Sequence, residues 1–219
     1  MRIEIDSFCA AGEDEISVAF EISDGEHGEK KKFIIPSSLY VEMRLCRGEC
    51  SREIFERIER EASIYAAYKR ALYILGFGAC SARMLCTKLV SKGFDKEIAQ
   101  IAAARVAAQG FLCESISAQR EAERCAAKLW GPVRIRAHLG SRGYGKDAID
   151  GAMFSLEDAG IDYVESCQRL IESKYKKLPS DRTELQKLIA SVCRYGYSLS
   201  DVKSACAKIA SRKESLYDQ

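Results

Sequence analysis

A six-residue pattern ending in glycine and an aromatic residue occurs three times in this chain, about fifty residues apart. The copies are residues 89–94, 139–144 and 192–197, and each follows apolar residues at helical spacing. Glycine at that point ends a helix, because it adopts the left-handed conformation without steric cost. A longer helical stripe precedes each copy, and another apolar stripe follows it. The period therefore predicts tandem units of three helices, with Phe94, Tyr144 or Tyr197 in the core of each unit.

The middle copy belongs to a short basic segment, residues 131–144. Pro132 favours a helix start, since its missing N–H would be unsatisfied in the first turn anyway, and Gly143 predicts the helix end. Ile135 and Leu139 lie four residues apart and predict the packed side. The neighbouring row is expected at the surface and consists of Arg134, His138 and Arg142.

The N-terminal 35 residues show a different periodicity. Apolar residues alternate with polar ones in three stretches, which predicts three short antiparallel strands. Ser37 or Ser38 is expected to begin a short helix that runs through Leu45. The predicted fold is therefore mainly α, with three tandem three-helix repeats in an elongated array, preceded by a small antiparallel β region. The predicted domains are residues 1–61 for the β-rich region and 62–111, 112–160 and 161–219 for the repeats.

Charge is distributed unevenly along the chain, although the net charge is only +2. Residues 1–61 carry a net charge of −6, and the remainder carries +8. A basic body indicates an anionic partner, with ordinary solvated helix faces as the plainer alternative. Basic residues recur at equivalent places in the repeats, and these are the predicted partner- or DNA-binding residues: Arg83, Lys88 and Lys92; Lys128, Arg134, Arg136 and Arg142; Lys176, Lys177 and Arg194.

Such a basic stripe suits a polyanion, because each cation near a phosphate releases counterions. The short second helix of each unit also makes the units similar to helix-turn-helix modules. However, the helix after each glycine–aromatic pair begins with acidic or neutral residues, as at Asp95 and Asp147. Sequence-independent binding to single- or double-stranded DNA is therefore expected over sequence-specific recognition of a groove.

Several classes of protein are disfavoured by what the sequence lacks. It contains no nucleophile elbow, phosphate-binding loop or acidic cluster, so we expect no catalytic residues and no enzyme activity. The ten cysteines are irregularly spaced and predict reduced thiols, with no metal site and no cofactor. The sequence shows no membrane-spanning run and no signal peptide. We expect a cytoplasmic monomer with no membrane partner.

The stretch Gly-Pro-Val-Arg-Ile-Arg-Ala-His-Leu at residues 131–139 resembles the RecX family, which regulates the RecA recombinase. Residues 88–95 (Lys-Leu-Val-Ser-Lys-Gly-Phe-Asp) and 177–182 (Lys-Leu-Pro-Ser-Asp-Arg) add to the resemblance. Residues 112–120 depart from it, because they lack the acidic–aromatic opening of the second repeat. The family residues carried over are Arg134 and Arg136, with Lys128 and Arg142.

The resemblance implies that the protein binds the RecA–DNA filament and inhibits RecA ATPase and strand exchange. It would then modulate homologous recombination, DNA repair and the SOS response without catalysing a reaction itself. Two alternatives stay open from the residues alone: an autonomous helical DNA-binding protein such as a transcriptional regulator, and a helical scaffold for another protein.

Overall fold

The structure, a computed structural model, describes residues 2–23, 28–175, 178–179 and 181–217, the last five without their side chains. The described chain is mainly α-helical with a small antiparallel sheet at its N-terminal end, as the sequence predicts. The strands are β1 (Arg2–Gly12), β2 (Glu15–Ser23), β3 (Gly28–Pro36) and β4 (Gly48–Glu49). The helices are α1 (Ser37–Glu42), α2 (Arg52–Gly76), α3 (Ala82–Val90), α4 (Lys96–Ala108), α5 (Glu114–Ala127), α6 (Pro132–Ser141), α7 (Lys146–Asp158), α8 (Tyr163–Lys174), α9 (Arg182–Cys193) and α10 (Leu199–Tyr217).

The chain divides into two compact units. The first comprises Met1–Ala79 and Leu85–Leu112, and the second comprises Cys80–Met84 and Cys113–Gln219. Helix α2 runs without interruption across residue 61, where the sequence placed a domain boundary. The four predicted domains stay a prediction.

The N-terminal sheet has the strand order β3-β2-β1-β4. Its first three strands match the predicted alternation, but β4 was not predicted. This strand has only two residues, paired opposite Ile5 and Glu4 of β1, and two residues carry no periodic signal. The predicted helix through Leu45 is also too long, because α1 ends at Glu42 and the chain turns at Arg44, whose φ is +50°.

The core of the first unit lies between the sheet and α2. Phe20 and Phe33 from the sheet and Phe55 from α2 pack edge to face, with ring centroids 5.1 to 5.8 Å apart. Further along, α2 packs against α4 through buried alanines. The buried residues there are mostly alanines, with Ile64 of α2 and Val106 of α4 as the larger side chains.

The second unit contains two groups of three helices, each with its own core. Ile135, Leu139 and Met153 are buried among α5, α6 and α7, and Leu188 and Val192 among α8, α9 and α10. The three predicted helix-ending glycines have positive φ, +92° at Gly93, +80° at Gly143 and +94° at Gly196. Of the three aromatic residues that follow them, Tyr144 and Tyr197 are buried as expected, while Phe94 is only half-buried.

Candidate functional site

Helix α6 has the predicted boundaries. Pro132 occupies its first turn after the cap residue Gly131. At its end, the amide of Tyr144 donates to the carbonyl of Leu139 at 3.2 Å, which satisfies a terminal carbonyl. Ile135 and Leu139 are fully buried. The packed side and both ends of this basic helix therefore follow from local sequence chemistry.

The start of α6 is joined to the turn between α9 and α10. The amide of Gly131 donates to the carbonyl of Tyr195 at 2.7 Å, and that of Val133 donates to the carbonyl of Gly196 at 3.1 Å. A Cβ added at Gly131 would lie 2.4 Å from the carbonyl carbon and oxygen of Gly196. The two glycines thus allow two backbone segments to touch, and this contact brings the flanking side chains together.

Three cations and two aromatic rings alternate at this junction. Lys128 Nζ lies 5.7 Å from the Trp130 ring centroid, and the Arg134 guanidinium lies 4.0 Å from the same centroid. That guanidinium is also 5.2 Å from the Tyr195 centroid, and Lys174 Nζ is 3.9 Å from it. These are cation–π distances. We call Lys128, Trp130, Arg134, Lys174 and Tyr195 the cation–aromatic cluster.

The charge of the cation–aromatic cluster is not cancelled by nearby acids. Among the described residues, none of its three cations forms an ion pair within 4.0 Å. The interaction with the Lys174 ammonium lowers the pKa of the Tyr195 hydroxyl, and the charge of Arg134 adds to this effect. The cluster is therefore a region of positive potential with aromatic rings at its surface.

Other predicted residues near α6 have acidic partners. Arg136 forms an ion pair with Asp150 of α7. Arg142 lies 3.8 Å from Glu121, and its backbone carbonyl accepts a hydrogen bond from the Ser81 hydroxyl at 2.6 Å. Their charges are partly compensated, in contrast to those of Lys128 and Arg134.

The remaining predicted residues are distributed over the chain. Arg83 belongs to the second unit and lies beside Gly143, whereas Lys88 and Lys92 are exposed in the first unit. Arg194 is exposed next to the cluster residue Tyr195. Lys176 and Lys177 lie outside the described residues. The contribution of these basic residues to binding stays a prediction.

Trp130, Lys174 and Tyr195 were not among the predicted binding residues. Trp130 is the chain's single tryptophan and directly precedes Gly131 and Pro132, which was an available signal. Tyr195 lies far along the chain, and the glycine–aromatic pattern pointed to Tyr197 instead. The backbone contacts of Gly131 and Val133 with Tyr195 and Gly196 bring Trp130 and Tyr195 together.

His138 is not the plain surface residue that was expected. It is about a quarter exposed, and its Nε2 lies 2.7 Å from Glu121 Oε1. Its ring packs in a T-shaped arrangement with that of Trp130, with centroids 5.3 Å apart. Burial works to raise the pKa of Glu121, but the hydrogen bond with His138 and the charges of Arg124 and Arg142 outweigh it and lower the pKa. The ionised carboxylate accepts, so His138 donates.

Comparison with known proteins identifies relatives at the level of sequence and fold. No protein-family model matches the chain. The regulatory protein RecX of Xanthomonas campestris pv. campestris (strain B100) is 30% identical over 138 residues, covering 63% of this chain and 83% of the relative. RecX of Stenotrophomonas maltophilia (strain K279a) is 29% identical over 138 residues, which again cover 63% of this chain and 83% of the relative.

Two solved structures share the fold. A crystal structure of regulatory protein RecX matches with a TM-score of 0.72 and 20% identity, covering 92% of this chain and 97% of that one. RecX from Lactobacillus salivarius matches with a TM-score of 0.58 and 18% identity over 68% of this chain and 97% of that one.

The fold and these relatives together define a class of mainly helical regulatory proteins. This chain belongs to the RecX family. Its relatives are named as regulators and not as enzymes. Among the described residues, no helix combines the length and the apolar character needed to span a membrane.

Proposed function

We propose that this protein binds the RecA–DNA filament in the cytoplasm and inhibits RecA ATPase and strand exchange, thereby modulating recombination and DNA repair. The cation–aromatic cluster on a chain of the RecX family is the observation that carries this proposal. The protein acts by binding, as a monomer, and catalyses no reaction.

The cluster has the two properties that a sequence-independent contact with a nucleoprotein filament requires. Its unpaired cations attract phosphates and release counterions, so affinity depends on salt and not on base sequence. Trp130 and Tyr195 offer flat surfaces on which bases or partner arginines stack. Proteins that bind single strands without sequence preference combine these same two features.

Further basic residues extend this contact under the same proposal. Arg83, Lys88, Lys92, Arg136, Arg142, Lys176, Lys177 and Arg194 add modest contacts. Several weak contacts made at once raise the overall affinity well beyond that of any one contact. Arg136 and Arg142 contribute less than Arg134, because Asp150 and Glu121 offset their charges.

The test is a titration of the protein into RecA that is hydrolysing ATP on single-stranded DNA. Substoichiometric protein is expected to slow hydrolysis, because one bound molecule affects a growing filament of many protomers. An unchanged rate at excess protein would rule out the proposal. A parallel titration of the protein onto random DNA duplexes without RecA tests the alternative of an autonomous transcriptional regulator. Such a regulator requires a preferred sequence, so equal affinity for all duplexes would exclude it.

A further inference from the structure

We propose that Glu121, Cys125 and His138 form a binding site for a zinc ion in the second compact unit. The three side chains offer one oxygen, one sulfur and one nitrogen ligand, and these atoms lie within 4.8 Å of one another. This site lies beside the cation–aromatic cluster, because His138 packs against Trp130. Its test measures metal binding by the protein alone and does not depend on RecA.

The fold places the three ligands on two packed helices. Glu121 and Cys125 are four residues apart on α5, so both project from the same face. His138 comes from α6, which packs against α5. Spacing along the chain does not reveal this arrangement, since the histidine lies 13 residues beyond Cys125 and no second cysteine forms a pair with it.

The geometry is close to that of a tetrahedral zinc centre. Zinc binds such ligands at about 2.0 to 2.3 Å, which separates the ligand atoms by roughly 3.3 to 3.8 Å. Binding would therefore move the Glu121 oxygen and the His138 nitrogen apart and bring the more distant ligand atoms together. Glu121 Oε1 and His138 Nε2 are 2.7 Å apart, and the ion would replace the proton that now joins them.

The degree of burial distinguishes these residues from a chance surface cluster. Cys125 is 2% exposed, while the side chains of Glu121 and His138 are 13% and 24% exposed. The Trp130 and His138 rings pack in a T-shaped arrangement, with centroids 5.3 Å apart. The ligands are thus held by packing, yet the histidine side remains accessible to an ion from solvent.

The ligand chemistry favours zinc over magnesium or calcium. A thiolate and an imidazole are ligands for borderline and soft metals, whereas magnesium and calcium prefer oxygen. On binding, the Cys125 thiol releases its proton to solvent, and the single N–H proton of the neutral His138 ring moves from Nε2 to Nδ1 by exchange with solvent, which frees Nε2 for the ion. The charges of one thiolate, one carboxylate and Zn²⁺ then sum to zero. Three protein ligands leave the fourth position for water.

Two arginines near Glu121 are expected to weaken the binding of a cation at this site. Arg124 forms an ion pair with Glu121, and Arg142 lies 3.8 Å from the same carboxylate. Both would have to share Glu121 with the metal. Replacing Arg142 by glutamine is therefore expected to tighten metal binding, which an ordinary hydrogen-bonded Glu–His pair would not show.

The experiment titrates Co²⁺ into the full-length, reduced protein and follows the thiolate charge-transfer and visible d–d bands. We expect one tetrahedral site with both sets of bands, and Zn²⁺ should displace the cobalt. Cys125→Ser should abolish the charge-transfer band, and His138→Gln should weaken binding by at least about tenfold, the loss that even outer-shell substitutions cause. Cys86→Ser, at a half-buried cysteine of the first unit, is the matched control and should bind as the parent does.

Because Cys125 is buried and its substitution could unfold the chain, the decisive variant is His138→Gln. If the parent and His138→Gln give the same cobalt spectrum and the same thermal shift with Zn²⁺, the site is overturned. The other cysteines would then account for any binding. A parent protein without tetrahedral bands would overturn it as well.

Discussion

The Arg134 side chain of α6 is held by two aromatic rings. Its guanidinium contacts the rings of Trp130 and Tyr195, and each such contact contributes about 0.5 to 1 kcal/mol at an exposed site. These contacts restrict the side chain before any partner arrives. The Arg134 side chain therefore loses less conformational entropy when a partner binds it than an unrestrained arginine would.

Trp130 is expected to contribute directly to nucleic-acid binding. Trp130→Leu should weaken binding to a labelled single-stranded oligonucleotide about tenfold, consistent with the 1 to 3 kcal/mol that stacking contributes per base. Fluorescence anisotropy at fixed salt measures this change. Phe154→Leu is the control, because Phe154 is 68% exposed on α7 of the same unit and has no cation against its ring among the described residues. An equal loss in both variants would contradict the assignment.

The local sequence could predict Arg134 but not its aromatic neighbours. Arg134 follows from helical spacing beside Ile135 and from the resemblance to the RecX family. Trp130 and Tyr195 belong to segments 65 residues apart, and no periodicity relates them. Their proximity depends on a backbone contact in the folded chain, which propensity and pattern cannot specify.

The cysteines should differ in reactivity. The hydrogen bond with Ser115 lowers the pKa of exposed Cys113, whereas burial raises the pKa of Cys167 to about 12. More thiolate is present at Cys113 at a given pH, so it should react first with iodoacetamide at neutral pH. Cys167 should react only after unfolding. Mass spectrometry of partially labelled protein measures both, and equally fast labelling of native Cys167 would contradict the structure.

The glycines show how helices are joined at the scale of secondary-structure elements. Gly143 and Gly196 both end a helix with positive φ, but Gly196 also contacts Gly131. One glycine thus serves two purposes: it reverses the chain after α9 and allows α6 to begin against that turn.

Substitution of Gly131 should therefore cost far more than substitution of a glycine inside α6. Gly131→Ala places a Cβ 2.4 Å from backbone atoms of Gly196, and overpacking of this kind costs about 1 to 3 kcal/mol. Gly140→Ala has nothing within 4 Å and should be neutral or stabilise the protein by up to about 1 kcal/mol. Urea unfolding compares the two. Equal stabilities would show that the two segments do not touch.

Two tyrosines of the second unit, buried Tyr197 and half-buried Tyr163, should respond differently to loss of their hydroxyls. The Tyr197 hydroxyl donates to the Leu129 carbonyl at 3.0 Å, whereas that of Tyr163 has no partner among the described residues. Tyr197→Phe should lower the free energy of unfolding by about 1 kcal/mol. Tyr163→Phe should be neutral or stabilising. A lower melting temperature for Tyr163→Phe than for Tyr197→Phe would contradict the hydrogen bond from Tyr197 to Leu129.

The elements differ in how well sequence could predict them. The ends of α3, α6 and α9 follow from glycine chemistry within a few residues, and the structure confirms them. The end of α1 and the whole of β4 do not, because the two residues of β4 become a strand only by pairing with β1. Local signals predict helices and their ends, and tertiary pairing determines the rest.

For the whole molecule, periodicity was sufficient to predict a mainly helical fold with a small N-terminal sheet. The acidic N-terminal residues are largely part of the first compact unit's sheet and of α2, which crosses residue 61. Removing residues 1–61 would delete the whole sheet together with Phe55 and would cut α2, so truncation is a poor test of the acidic region. Substitutions of exposed residues test the proposed binding surface without disrupting the sheet or α2.

The most direct test compares RecA ATPase inhibition by the parent protein with that by Trp130→Leu/Arg134→Gln. A matched variant, Lys146→Gln/Phe154→Leu, removes one exposed cation and one exposed aromatic ring from α7 instead. We predict that the parent and the α7 variant inhibit at the same substoichiometric concentrations, while the cluster variant requires at least about tenfold more protein. Equal inhibition by all three proteins would contradict the claim that the cation–aromatic cluster contacts the RecA–DNA filament.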